Sequence, residues 1–108
     1  MYIKHKSLAT PIDLQNDKLD NCIIIDLRSR GYFLISHIPN ALNLDSLSRI
    51  SFIAQENPDK RIVLYCHSGA SAADFGNKLV EMGYKNIFYL DENFFNLPKM
   101  GITIQYNT

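Results

Sequence analysis

The sequence predicts an α/β fold built on a parallel sheet, and three observations point to it. Short apolar runs such as residues 22–27 and 62–65 lack polar alternation, as strands covered on both faces do. These runs alternate with segments whose apolar residues recur at helical spacing, the order that lays helices over a parallel sheet. The run 62–65 stops at Cys66, and a short polar loop separates it from the next helical stretch. A cysteine there would sit in the crevice beyond the carboxyl ends of the strands, where open α/β sheets bind ligands.

In chain order, residues 2–6 are expected as a short first strand. Thr10-Pro11 followed by Ile12, Leu14 and Gln15 fits an N-cap, an N1 proline and the first turn of a brief helix. The polar stretch 16–21 turns into a second strand, 22–27, which Asp26 and Arg28 close. Residues 29–36 form a short segment holding Gly31, Tyr32, Phe33, Leu34 and Ile35. Ile38 precedes Pro39 and must be extended or turned, and residues 41–44 make the third strand. Residues 45–55 read as a helix capped by Asp45 or Ser46, with Leu47, Ile50 and Ile53 or Ala54 on one face. Asn57-Pro58-Asp59 ends it by turn chemistry.

The fourth strand, 62–65, leads into the loop. Ala72, Ala73, Phe75, Gly76, Leu79, Val80 and Met82 then trace a helix that Gly83 stops. Ser71 with Asp74 three residues later fits a capping signal for its start. A fifth strand, 86–91, a short segment, 94–99, and the tail 102–104 complete one domain over residues 1–108.

With 108 residues the chain can bury about 65% of the surface its unfolded form exposes, enough for a core without staples. Eleven basic and eleven acidic side chains cancel, so no overall field recruits nucleic acid or an acidic membrane. The opening residues hold no apolar signal stretch, and no run approaches the roughly 20 residues of a membrane span. A cytoplasmic protein with both cysteines reduced is the expectation.

The two cysteines differ in setting. Cys22 opens an apolar run and is expected to be core packing. Cys66 closes one, and the amides of residues 67–71 can curl into a nest facing its sulfur while the following helix aims its positive end at the same point. Both influences favour thiolate over thiol, the form that attacks. His67 could donate to an anionic donor or tune the sulfur, or it could face solvent. Ser68 and Ser71 offer hydroxyl donors, with Ser71 expected mainly to cap the helix. Asp26 and His37 are expected in structural roles, and no metal-ligand spacing links Cys66, His67 and His37. Phe88, Tyr89, Phe94 and Phe95 could line a donor pocket, although such clusters ordinarily pack cores. Phe88 and Tyr89 point to opposite faces of a strand, so at least one belongs to the core.

Two stretches resemble the signatures of rhodanese-like domains. Ile25-Asp26-Leu27-Arg28, Tyr32-Phe33 and His37-Ile38-Pro39-Asn40-Ala41-Leu42-Asn43-Leu44 are similar to the family's first signature. Tyr65-Cys66-His67-Ser68-Gly69-Ala70-Ser71-Ala72 resembles its Cys-x-x-Gly-x-Arg-Ser loop. The resemblance implies a three-layer α/β/α fold with a five-stranded parallel sheet. It implies sulfur transfer through a Cys66 persulfide, with residues 67–71 (His67, Ser68, Gly69, Ala70, Ser71) binding the donor and Asp26, Arg28 and His37 supporting the site. Metals and organic cofactors have no part in that chemistry. The implied partners are a small-molecule or protein sulfur donor and a thiol acceptor.

The departures from the pattern are specific. Ser71 stands where the family has arginine, Gly31 where it has a glutamate that pairs with Arg28, Ser36 and Asn40 where it has glycines. Asp91-Glu92-Asn93 replaces a residue and a glycine pair, and Leu97 a tryptophan. No arginine follows Arg61. Because a guanidinium grips oxyanions bidentately, thiosulfate is expected to be a poorer donor than a persulfide. The alternative is a weakened rhodanese-like module that binds or regulates a partner. Cysteine phosphatases need an arginine six positions after the cysteine, and Ala72 stands there.

Overall fold

Strand β5, Arg61–Tyr65, lies at the middle of the molecule because its side chains leave it no watered face: Ile62, Val63 and Leu64 are fully buried. The computed structural model describes residues 4–107. β5 pairs in parallel with β2, Cys22–Asp26, on one side and with β6, Ile87–Tyr89, on the other. β1, Thr10–Pro11, and β4, Leu42–Asn43, form the edges, giving five parallel strands in the order β1-β6-β5-β2-β4.

Alternation along the strands feeds two cores. Ile25, Ile62, Leu64, Ile87 and Tyr89 pack with the helices α2, Leu47–Glu56, and α3, Ala70–Glu81. Val63, Tyr65 and Leu90 face the other way, toward Phe33 of α1, Arg30–Ile35, and toward Phe94 and Leu97 of a 3-10 helix, Phe94–Met100. The parallel α/β architecture with both faces covered is therefore present.

Several local expectations give way. Thr10–Pro11 pairs with Phe88 and Tyr89 as an edge strand instead of starting a helix. Proline is tolerated there because an edge strand leaves one side unpaired. Ile12 continues the pairing by donating to Tyr89 O at 2.9 Å, and residues 14–16 form a turn. The expected strand 2–6 falls partly outside the described residues, and Lys4, His5 and Lys6 have no regular secondary structure. The third and fifth strands are shorter than expected. The tail forms β7, Gln105–Tyr106, antiparallel to β3, Ser36–His37.

The capping signal is also not used. α3 starts from Gly69, whose φ of 95° only glycine adopts cheaply, and Ala73 N–H already donates to Gly69 O at 2.9 Å. Ser71 is thus inside the first turn, and Asp74 pairs with Lys78 at 3.1 Å on the surface. Asn40 keeps a φ of 69° where the resembled pattern has glycine, a conformation asparagine tolerates.

At the carboxyl ends of β2 and β5 the fold buries a polar knot. Asp26, fully buried, accepts from Tyr65 Oη at 2.6 Å, from Arg28 N at 2.8 Å and from Arg28 Nη2 at 2.9 Å. Arg28 Nη2 also donates to Ser36 O, and the guanidinium lies 3.9 Å from the centre of the Phe94 ring. The ion pair that Gly31 cannot supply is rerouted to Asp26. Tyr65 Oη accepts from Ile38 N at 3.1 Å, tying β5 to the turn before β4.

Burial, and then the hydrogen bond to Asp26, push the Tyr65 phenol well above the usual tyrosine range. Folding therefore favours the neutral phenol. Its contribution to stability is complete below about pH 10, where unfolded tyrosine titrates, and is lost as pH rises toward the higher folded value. Tyr65→Phe removes a donor from a buried carboxylate and an acceptor from Ile38 N–H. It should cost about 1–3 kcal/mol in urea unfolding at neutral pH, a difference from wild type that shrinks above about pH 10. A stability equal to wild type at pH 7 would show that the knot contributes nothing.

Candidate functional site

Cys66 follows β5 directly, so the strand that fixes the core also fixes the sulfur. Backbone N–H groups of Gly69 and Ala72 point at Sγ, with N···S distances of 3.2 and 3.4 Å. Both are well inside sulfur hydrogen-bond range. Ala72 lies in the first turn of α3, whose early amides lack helical acceptors, so the sulfur takes the part of a capping oxygen. The positive end of the helix faces the same atom. Cys66 itself is 6% exposed.

The loop residues divide around this sulfur. Gly69 supplies one amide through its left-handed backbone. The other donor, Ala72, lies one residue beyond the nest expected over residues 67–71. A helix begun at Gly69 would have signalled it, since the third helical residue carries an orphan amide.

His67 is exposed and meets the Tyr32 ring edge-on, centroids 4.5 Å apart, while its carbonyl accepts from Phe94 N at 2.8 Å. Tyr32 enters the sequence only as part of the first signature, and its place beside the loop is not foreseen because α1 and the loop are distant along the chain. Ser68 is half-buried, and Ala70 and Ser71 are exposed at the start of α3.

The other singled-out residues lie away from the sulfur's own contacts. Asp26 and Arg28 form the buried knot on the neighbouring strand. His37 stacks on Phe33 at 4.0 Å, and its Nδ1–H donates to Phe33 O at 2.7 Å. Phe94 is buried and stacks on Tyr65, whereas Phe95 is 85% exposed. Phe88 and Tyr89 face opposite cores.

Both cysteines are free. Cys22 is level with Arg61 across the β2–β5 ladder, five residues before Cys66. At about 3.3 Å per residue the two are roughly 16 Å apart, too far for a disulfide. Burial pushes the Cys22 thiol up. Among the described residues no three His, Cys, Asp or Glu side chains come together as a metal site, and no helix is long and apolar enough to cross a membrane.

Arg28 cannot stand in for the missing loop arginine. Its side chain is 3% exposed, and the guanidinium is engaged by Asp26, Ser36 O and the Phe94 face. The loop itself offers no guanidinium to an anion arriving at Cys66.

Comparison with known proteins matches this geometry to a family. Residues 7–97 match the rhodanese-like domain. The chain is 30% identical over 94 residues to the thiosulfate sulfurtransferase GlpE of Pseudoalteromonas translucida (strain TAC 125), an alignment covering 87% of this chain and 88% of that protein. It is 27% identical over 84 residues to the tRNA uridine(34) hydroxylase of Photorhabdus laumondii, covering 70% of this chain but 24% of that larger protein. Among solved structures, protein hp1203 from Helicobacter pylori superposes with a TM-score of 0.78 at 25% identity, over 90% of this chain and 89% of that one. With its five parallel strands and a cysteine loop between β5 and α3, the chain belongs to the rhodanese-like domain family.

Proposed function

We propose that this protein is a sulfurtransferase that carries sulfane sulfur on Cys66. The observation that carries the reading is the pair of N–H groups, from Gly69 and Ala72, directed at Sγ. Donors so placed stabilise negative charge on Sγ without reorganising, both when the thiolate attacks and when it leaves again in the second displacement. The similarity to thiosulfate sulfurtransferases supports the same chemistry.

The reaction is a double displacement. The Cys66 thiolate attacks the outer sulfur of a donor, forming an S–S bond to Cys66 as the donor's own bond to that sulfur breaks. The leaving group departs with the electron pair, as sulfite from thiosulfate or as a thiolate from a persulfide. An acceptor thiolate then attacks the outer sulfur of the Cys66 persulfide, takes it, and restores the Cys66 thiolate. No step calls for an external oxidant, a metal or an organic cofactor.

Donor preference follows from what the loop lacks. Thiosulfate presents a sulfonate that a guanidinium would hold, and Ser71 occupies the position. A small or protein-bound persulfide needs no such clamp, so persulfides are the preferred donors and a thiol is the acceptor. The same missing arginine favours a second reading, a module that binds or regulates a partner without turnover.

Weighing the intact protein after incubation with thiosulfate or a low-molecular-weight persulfide separates the two. Addition of one sulfur atom, faster from the persulfide and absent in Cys66→Ser, is expected. No addition from either donor would favour the module. Ser71 is exposed at the mouth of the loop, so Ser71→Arg has room to extend. That variant should raise thiosulfate turnover about tenfold, the worth of one charge-assisted hydrogen bond. An unchanged rate would remove the missing guanidinium as the cause of weak thiosulfate use.

A further inference from the structure

The parallel strands β2, β5 and β6 end side by side, so the Cys66 loop is flanked by the segments that leave its two neighbours. Both segments touch it. From the β2 side, Tyr32 of α1 sets its ring edge-on against His67, centroids 4.5 Å apart. From the β6 side, Phe94 N donates to His67 O at 2.8 Å, which brings the 3-10 helix and Phe95 up to the loop.

Those flanks carry apolar side chains that the core does not take up. α1 buries none of its residues, and Tyr32 and Ile35, one turn apart and so on one face, are 54% and 65% exposed. Phe95 is 85% exposed, its ring set edge-on to that of Phe94 with centroids 6.3 Å apart. A single exposed apolar side chain is ordinary. Three of them, on both sides of a reactive sulfur, form a patch of the kind that marks an interaction surface, with the aromatic residues that anchor such contacts.

The chemistry at the sulfur says what must come to that surface. On the sulfurtransferase reading, on which this inference rests, an acceptor thiolate attacks the outer sulfur of the Cys66 persulfide; the new S–S bond forms as the bond to Cys66 breaks, and Cys66 leaves with the electron pair as a thiolate. Cys66 is 6% exposed, so an acceptor has to press its sulfur into the loop, and the groups beside that sulfur are pressed against the flanks. A small polar thiol has nothing to place on two aromatic rings and an isoleucine. A cysteine within a protein segment has neighbours on both sides, matching a loop flanked on both sides. We infer that the acceptor is a protein cysteine set between apolar residues, which rest on Tyr32 and Ile35 on one side of the loop and on Phe95 on the other.

Two uncharged pentapeptides test this surface as acceptors, one with phenylalanine before and leucine after its cysteine, the other with serine in both places. The full chain is first loaded from a low-molecular-weight persulfide and weighed, and loss of the added sulfur to each peptide is then timed. The apolar peptide should discharge Cys66 at least about tenfold faster, the gain from roughly 55 Å² of apolar area leaving water. In Phe95→Ser and in Tyr32→Ser the ratio of the two rates should fall below about threefold, with the serine peptide as the reference within each variant. Both side chains are more than half exposed, so neither truncation threatens the fold. Equal rates with the native chain, or a ratio that survives both substitutions, would overturn the inference while leaving the Cys66 persulfide in place. A chain that takes up no sulfur would instead remove the sulfurtransferase reading beneath it. Equal rates from a chain that is dimeric until Phe95 is replaced would assign the surface to a second copy and also overturn the inference.

Discussion

Two backbone amides directed at one sulfur are the interaction on which the site depends. Each requires a separate piece of the fold. The Gly69 amide reaches Sγ because the chain turns through a left-handed residue at that point, and the Ala72 amide reaches it because α3 has already begun. The sulfur is held still by β5, whose side chains are buried on both faces. Core packing, loop conformation and helix start thus converge on a single atom, and no side chain of the loop has to supply the contact.

The polar knot of Asp26, Arg28 and Tyr65 shows how the fold absorbs the loss of a partner. Gly31 cannot offer a carboxylate, and Arg28 turns instead to the aspartate two residues before it, the carbonyl of Ser36 and the face of Phe94. A buried guanidinium needs that full set of partners. Its engagement also keeps it from serving the sulfur. The knot thus satisfies Arg28 without a carboxylate at position 31, and the loop keeps no guanidinium of its own.

Much of this was legible in the sequence, for identifiable reasons. β2 and β5 announce themselves as unbroken apolar runs, and Cys66 at the end of one of them marks the candidate site. The misread elements are those decided by distant partners. Thr10-Pro11 carries the same local signal at a helix start and on an edge strand, and only pairing with Phe88 and Tyr89 decides between them. Ser71 and Asp74 spell a capping box, but the sulfur of Cys66 had already taken the amide of Ala72. The contact of Tyr32 with His67 joins segments 35 positions apart, and no local pattern encodes it.

The claim that the amides hold Cys66 as a reactive thiolate is tested most directly by alkylating the native protein with iodoacetamide at pH 7 and timing each cysteine by mass spectrometry. Cys22 is the internal control: it is more exposed than Cys66, and burial pushes its thiol up. Exposure alone would make Cys22 the faster. If the amides activate the sulfur, Cys66 will be modified at least about tenfold faster than Cys22 despite its burial. Equal rates, or faster labelling of Cys22, would contradict it.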